Sequence, residues 1–82
     1  MQFLITKTNN KEWFVDTDLF WNLSKAVETW NGLMLRQKGD LLHLDEVKAM
    51  LKDDEFNAIL FTFIDGFERK WAFELKEITP LT

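Results

Sequence analysis

The sequence predicts an α+β fold: a small single domain of antiparallel β-hairpins, four to six strands in all, with two helices packed mainly on one face. Three observations lead there. Stretches rich in aromatic and β-branched residues are split by turn residues near both ends of the chain, the hydrophobic period changes to about 3.6 between them, and the chain has only 82 residues. That length lies below the usual domain size of roughly 100–150 residues, so one modest core is expected over residues 1–82. Hydrophobic residues make up 46% and charged residues 29%, which suits a folded chain and not a disordered one. Aromatics reach 15%, as eight Phe and four Trp with no Tyr. A chain this small buries only about 60% of its unfolded surface, so some of that aromatic area is expected to stay outside.

The first hairpin joins Gln2–Thr6 to Glu12–Asp16. Asn tolerates left-handed dihedrals, so Asn9-Asn10 reads as a two-residue loop that sets Lys7 opposite Glu12. Trp13 and Phe14 are adjacent in the second strand and therefore face opposite sides, with core contact the favoured role. The period then changes. Leu19, Phe20, Leu23, Ala26, Val27 and Trp30 fall on one helical stripe, which predicts a helix over about 17–31, capped by Asp16, Thr17 or Asp18 and ended by Asn31-Gly32. Residues 33–44 are compatible with a hairpin turning at Gly39 with positive φ, or with a helical turn followed by a loop. Asp45 offers a cap to a second helix over about 46–54, whose apolar side is Val47, Met50 and Leu51. The last hairpin turns at Asp65-Gly66. A three-residue loop with Gly66 left-handed pairs Phe63 with Phe67 and Ile59 with Trp71, gathering Ile59, Phe61, Phe63, Phe67, Trp71 and Phe73 on one face. The run Ile59–Ile64 is almost wholly apolar, as in a strand covered on both sides, and one of those covers could be a partner. Pro80 follows the last strand, so 79–82 reads as a short C-terminal tail.

Charge excludes several functions. Residues 1–40 balance five basic against five acidic groups, whereas residues 41–82 hold five basic against nine acidic, so the whole net charge of −4 lies in the second half. Nucleic-acid binding draws on Lys and Arg neutralising phosphates, and no basic run is present, so no nucleic-acid partner is expected. A net charge of −4 also falls far short of a phosphate-like array. The absence of Cys removes disulfides, thiol nucleophiles and sulfur-ligated zinc, and suits a cytoplasmic location. No signal peptide is evident. The longest near-apolar run, Ala58–Ile64, is about a third of the roughly 20 residues that span a bilayer, so no membrane partner is expected either.

Catalytic residues are scarce. Ser24 sits mid-helix and His43 lies in an apolar run, with no spacing that joins them, so the chain is expected not to be an enzyme. Gly32, Gly39 and Gly66 are isolated and make no phosphate cradle, and Asp16-Thr17-Asp18 lacks the later positions of a calcium loop. No metal and no cofactor are expected. Asp53-Asp54-Glu55 is the densest acidic cluster; it reads first as a solvated turn ending the second helix, and second as a patch for a basic partner. On the first helix Trp21 falls far from the apolar stripe, beside Lys25 and Glu28, and is expected to be exposed. An exposed Trp among charges suits a protein interface, although another element of the monomer could cover it.

These features favour a small acidic, non-catalytic protein-binding module, of the kind that serves as inhibitor, antitoxin, immunity protein or phage-type accessory protein. Its expected contact residues are Trp21, Lys25 and Glu28, and separately Asp53, Asp54 and Glu55. An alternative is a self-associating structural protein forming a homodimer through its sheet. A second alternative is stacking of single-stranded nucleic acid on Phe61, Phe63 or Trp71, which needs a positive groove that the charge count does not reveal.

Overall fold

The structure, a computed structural model, describes residues 2–12 and 15–78. Four strands and two helices follow in the order β1 (Gln2–Asn9), β2 (Val15–Phe20), α1 (Leu23–Gln37), α2 (Leu44–Lys52), β3 (Ile59–Ile64) and β4 (Lys70–Ile78). They form the expected α+β fold. The strands make one antiparallel sheet in the order β2-β1-β4-β3, so the first and last strands of the chain meet at its centre. Alternation of side chains across the strands sends Phe3, Ile5, Phe73 and Leu75 to one face, where they form the core with Ala26, Trp30 and Met34 of α1. Trp30 is the largest of these, at 1% exposure. The other face of the sheet carries Leu4, Thr6, Thr8, Thr62, Ala72, Glu74 and Lys76, and neither helix contributes to it.

Both hairpins differ from expectation in register. In the first, Lys7 pairs with Asp16 and not with Glu12, so the connection is longer than two residues. Asn9 explains the difference: its side-chain Oδ1 accepts the amides of Lys11 and Glu12 at 3.0 and 2.8 Å, a local turn that carries the chain past the Asn9-Asn10 corner. In the second, Phe63 pairs with Trp71, and Asp65 to Arg69 make the loop. Gly66 does not take the left-handed conformation; Glu68 does, with φ 62°. Each slip moves the partner strand by four residues, an even number, so in the second hairpin Ile59, Phe61, Phe63, Trp71 and Phe73 keep the shared face expected of them. Phe67 alone leaves the aromatic face, because it now lies in the loop.

The first helix is also displaced. Leu19 and Phe20 continue β2, and α1 begins at Leu23 with Asn22 as its cap, whose Oδ1 accepts from Ser24 N at 2.8 Å. Asp16, Thr17 and Asp18 are therefore strand residues and cap nothing. Asn31-Gly32 does not end the helix. Asn31 instead uses its amide on the following loop, accepting from Leu42 N at 2.7 Å and donating to Leu42 O at 2.9 Å. The helix runs on to Gln37 and closes with Lys38 in the left-handed region, so residues 33–37 are helical and the hairpin reading of 33–44 is excluded. The loop folds back close to α1 at Gly39, where an added Cβ would meet Met34 Sδ at 2.7 Å and the Phe61 ring at 3.0 Å. The second helix starts two residues earlier than expected, with His43 and not Asp45 at its cap position, and Asp53 ends it. Trp13, Phe14 and the 79–82 tail lie outside the described residues.

Candidate protein-binding surface

The tips of the two hairpins meet at one end of the sheet, and a single carboxylate organises them. Asp65 begins the β3–β4 loop. Its Oδ1 accepts the backbone amides of Phe67 at 2.8 Å and Arg69 at 3.0 Å, and its Oδ2 accepts Arg69 Nε at 2.6 Å and Trp71 Nε1 at 2.9 Å. Desolvation raises the pKa of Asp65, but the bonds donated by Trp71, Arg69 and Phe67 outweigh it and hold the carboxyl well below the usual carboxylate range. Arg69 is held protonated by its hydrogen bonds to Asp65 and then Glu12, and its pKa is raised accordingly. Its Nη1 donates to Glu12 Oε1 at 2.6 Å, which ties the loop to the β1–β2 connection. Asn10 adds a second tie, its Oδ1 accepting Lys70 N at 2.8 Å and its own amide reaching Lys70 O at 3.2 Å.

This network presents aromatic surface. The Arg69 guanidinium lies 5.2 Å from the centre of the Phe67 ring and 5.5 Å from that of Trp71, within cation–π reach of both. Phe67 is 77% exposed. Behind it Trp71 stacks on Phe63, and Phe63 meets Phe73 edge-on with ring centres 5.2 Å apart. Lys7, Gln37, Phe63, Trp71 and Phe73 line an open groove of about 430 Å³ here, beyond the end of α1. Phe61, Phe63 and Trp71, the residues proposed for base stacking, are thus half-buried, packed against the core and against one another.

The residues singled out from the sequence lie elsewhere. Trp21 is 74% exposed, as expected, but it occupies the bend between β2 and α1 and not the helix itself. Phe20 pairs with Phe3, whereas Trp71 pairs with Asn9, so Trp21 and Phe67 belong to opposite ends of the sheet. Lys25 and Glu28 are exposed on α1 and form an ion pair at 3.5 Å, one turn apart. Asp53, Asp54 and Glu55 are all exposed at the end of α2, with Asp54 left-handed at φ 57°. That run precedes β3, and Trp21 follows β2, the strand at the other edge.

Asp65, Phe67 and Arg69 were not legible as a site, though one signal was present. An Asp followed by Gly, with bonding partners two and four residues on, is the pattern of a side chain that caps its own turn. The groups considered for catalysis are accounted for locally: the Ser24 hydroxyl donates to Asn22 Oδ1 at 2.7 Å, and His43 is exposed at the start of α2. Among the described residues no three His, Asp or Glu side chains converge as metal ligands, and no helix is long and apolar enough to cross a membrane. Comparison with protein-family models, with curated proteins and with solved structures finds no match to this chain.

Proposed function

We propose that the protein is a non-catalytic protein-binding module that blocks or escorts another protein, as inhibitors, antitoxins, immunity proteins and phage-type accessory proteins do. The observation that carries this reading is Phe67, 77% exposed on a loop held by four hydrogen bonds to one carboxylate. A large ring in water that is already fixed in place loses little further entropy on docking. Arg69 and Trp71 beside it supply two of the residue types that dominate binding hot spots. Trp21 with Lys25 and Glu28, and the Asp53–Glu55 run, are further contact points in this reading, each far enough from Phe67 to be tested by itself. The cytoplasm is the compartment we assign, on the absence of cysteine.

Affinity capture from lysate of the chain's own cell or host tests the reading, with wild-type protein, Phe67→Ala and Trp21→Ala compared side by side. One protein retained near stoichiometrically by wild type and lost with Phe67→Ala is the expected result. With that partner purified, Phe67→Ala weakens binding by about 2 kcal/mol or more, as for a hot-spot ring. Loss with Trp21→Ala alone would move the contact to the other end of the sheet, and recovery of the bait alone would count against a binding module.

A further inference from the structure

We propose that two copies of this chain pair antiparallel through β3, joining their sheets about a two-fold axis at Thr62. This pairing uses a different surface from the Phe67 tip and stands independently of it. The two edges of the sheet are unlike. The edge strand β2 carries Asp16 and Asp18, and a second β2 brought alongside would set carboxylate against carboxylate. The edge strand β3 reads Ile-Leu-Phe-Thr-Phe-Ile, with no charge and no proline to prevent pairing. Leu60 and Ile64 project from it to the open face of the sheet at 63% and 65% exposure.

Hydrogen-bond parity selects the register. Asp65 N donates to Arg69 O at 3.1 Å in register with the β3–β4 ladder, which marks this as a hydrogen-bonded position of the ladder even though the return amide of Arg69 goes to Asp65 Oδ1. Such positions alternate along an antiparallel ladder. Ile59, Phe61 and Phe63 therefore direct their amides and carbonyls to β4, and Leu60, Thr62 and Ile64 direct theirs to the outer edge. Among the described residues, no hydrogen bond outside the ladder uses the backbone of these three. A second β3 must meet them with its own outward residues. The strand is nearly palindromic about Thr62, so the two-fold at that residue pairs Leu60 with Ile64, Thr62 with Thr62 and Ile64 with Leu60. Each of these narrow pairs exchanges two backbone hydrogen bonds. On the open face leucine meets isoleucine. On the helix-covered face the half-buried Phe61 and Phe63 meet each other, extending the aromatic cluster across the axis.

The arrangement also closes. A β2-to-β3 contact would be head-to-tail and could grow without end, whereas the two-fold pairing makes one eight-stranded sheet whose outer strands are both the acidic β2. Sedimentation across a concentration series, with amide exchange followed residue by residue, tests it. Wild type moves from monomer to dimer as concentration rises, and the amides of Leu60, Thr62 and Ile64 become protected together with that change. Thr62→Lys sets two like charges at the axis on an exposed position and weakens the dimer by at least about tenfold while leaving circular dichroism unchanged. Thr17→Lys, on β2, leaves the dimer intact. A chain that stays monomeric at high concentration overturns the proposal and leaves the edge to a strand of another protein. A dimer in which those three amides still exchange freely overturns it as well, and that readout needs no variant to fold.

Discussion

Asp65 concentrates more local structure than any other described side chain, accepting two backbone amides, an indole N–H and a guanidinium. Its ionised form alone can accept all four, which sets the pH response. With the native pKa depressed below the ordinary value of 3.8, the linked stability is fully present above about pH 4 and is lost progressively as pH falls toward the native pKa. Asp65→Asn keeps one carbonyl oxygen for the two amides but turns a donor toward Arg69 Nε and Trp71 Nε1. Urea midpoints measured from neutral pH downward should show the variant less stable near pH 7 and less steeply destabilised by acid, so that the two curves converge. Parallel curves would mean that the carboxylate does not hold the tip.

At the scale of elements, the ends were harder to read than the middles. The stripe Leu23, Ala26, Val27, Trp30 identified α1, because spacing alone reports period, and those residues do face the core. Its ends were misplaced for two distinct reasons. Leu19 and Phe20 fit a helical stripe and a strand equally well, and pairing with Leu4 and Phe3 decided for the strand. Asn31-Gly32 resembles a helix stop, but the helix runs through it and the Asn31 side-chain amide bonds both backbone groups of Leu42 in the following loop. The true stop, Lys38, sits at φ 57° and ψ 34°, where a residue with a Cβ pays about 1–2 kcal/mol. Lys38→Gly removes that strain and adds unfolded-chain entropy of about 0.5–1 kcal/mol, so a net gain of about 0.5–1 kcal/mol is expected by chemical denaturation. A loss would show that the Lys38 side chain contributes more than its backbone costs.

On the scale of the whole molecule, one helix and the two central strands share the core. Trp30 lies at its middle, at 1% exposure, among Phe3, Ile5, Phe73 and Leu75. Truncating such a residue costs about 3–5 kcal/mol. Chains of this length are stable by only about 4–12 kcal/mol at 0.05–0.15 kcal/mol per residue, so Trp30→Ala should leave the fold marginal or lost. Thermal unfolding followed by near-ultraviolet circular dichroism checks it, and a midpoint within a few degrees of wild type would place the stabilising core elsewhere. The same sheet that closes this core leaves two edges, one acidic and one apolar. That asymmetry is a property of the assembled sheet and belongs to no single strand.

The sequence by itself determined the fold class, the two hairpins, the helical stripe and the shared face of Ile59, Phe61, Phe63, Trp71 and Phe73, because period and parity are local quantities that survive an even slip in register. The exposure of Trp21 agrees with expectation but not for the helical reason, because the residue lies in the bend before α1 and no other element covers it there. Only the tertiary structure decided the strand order, which places the two ends of the described chain side by side at the centre of the sheet. It alone brought Glu12 to Arg69, residues 57 apart in sequence, and so assembled the tip that carries Phe67. Long-range pairing of this kind depends on the summed burial of a whole sheet against two helices, and no short window of residues contains that sum.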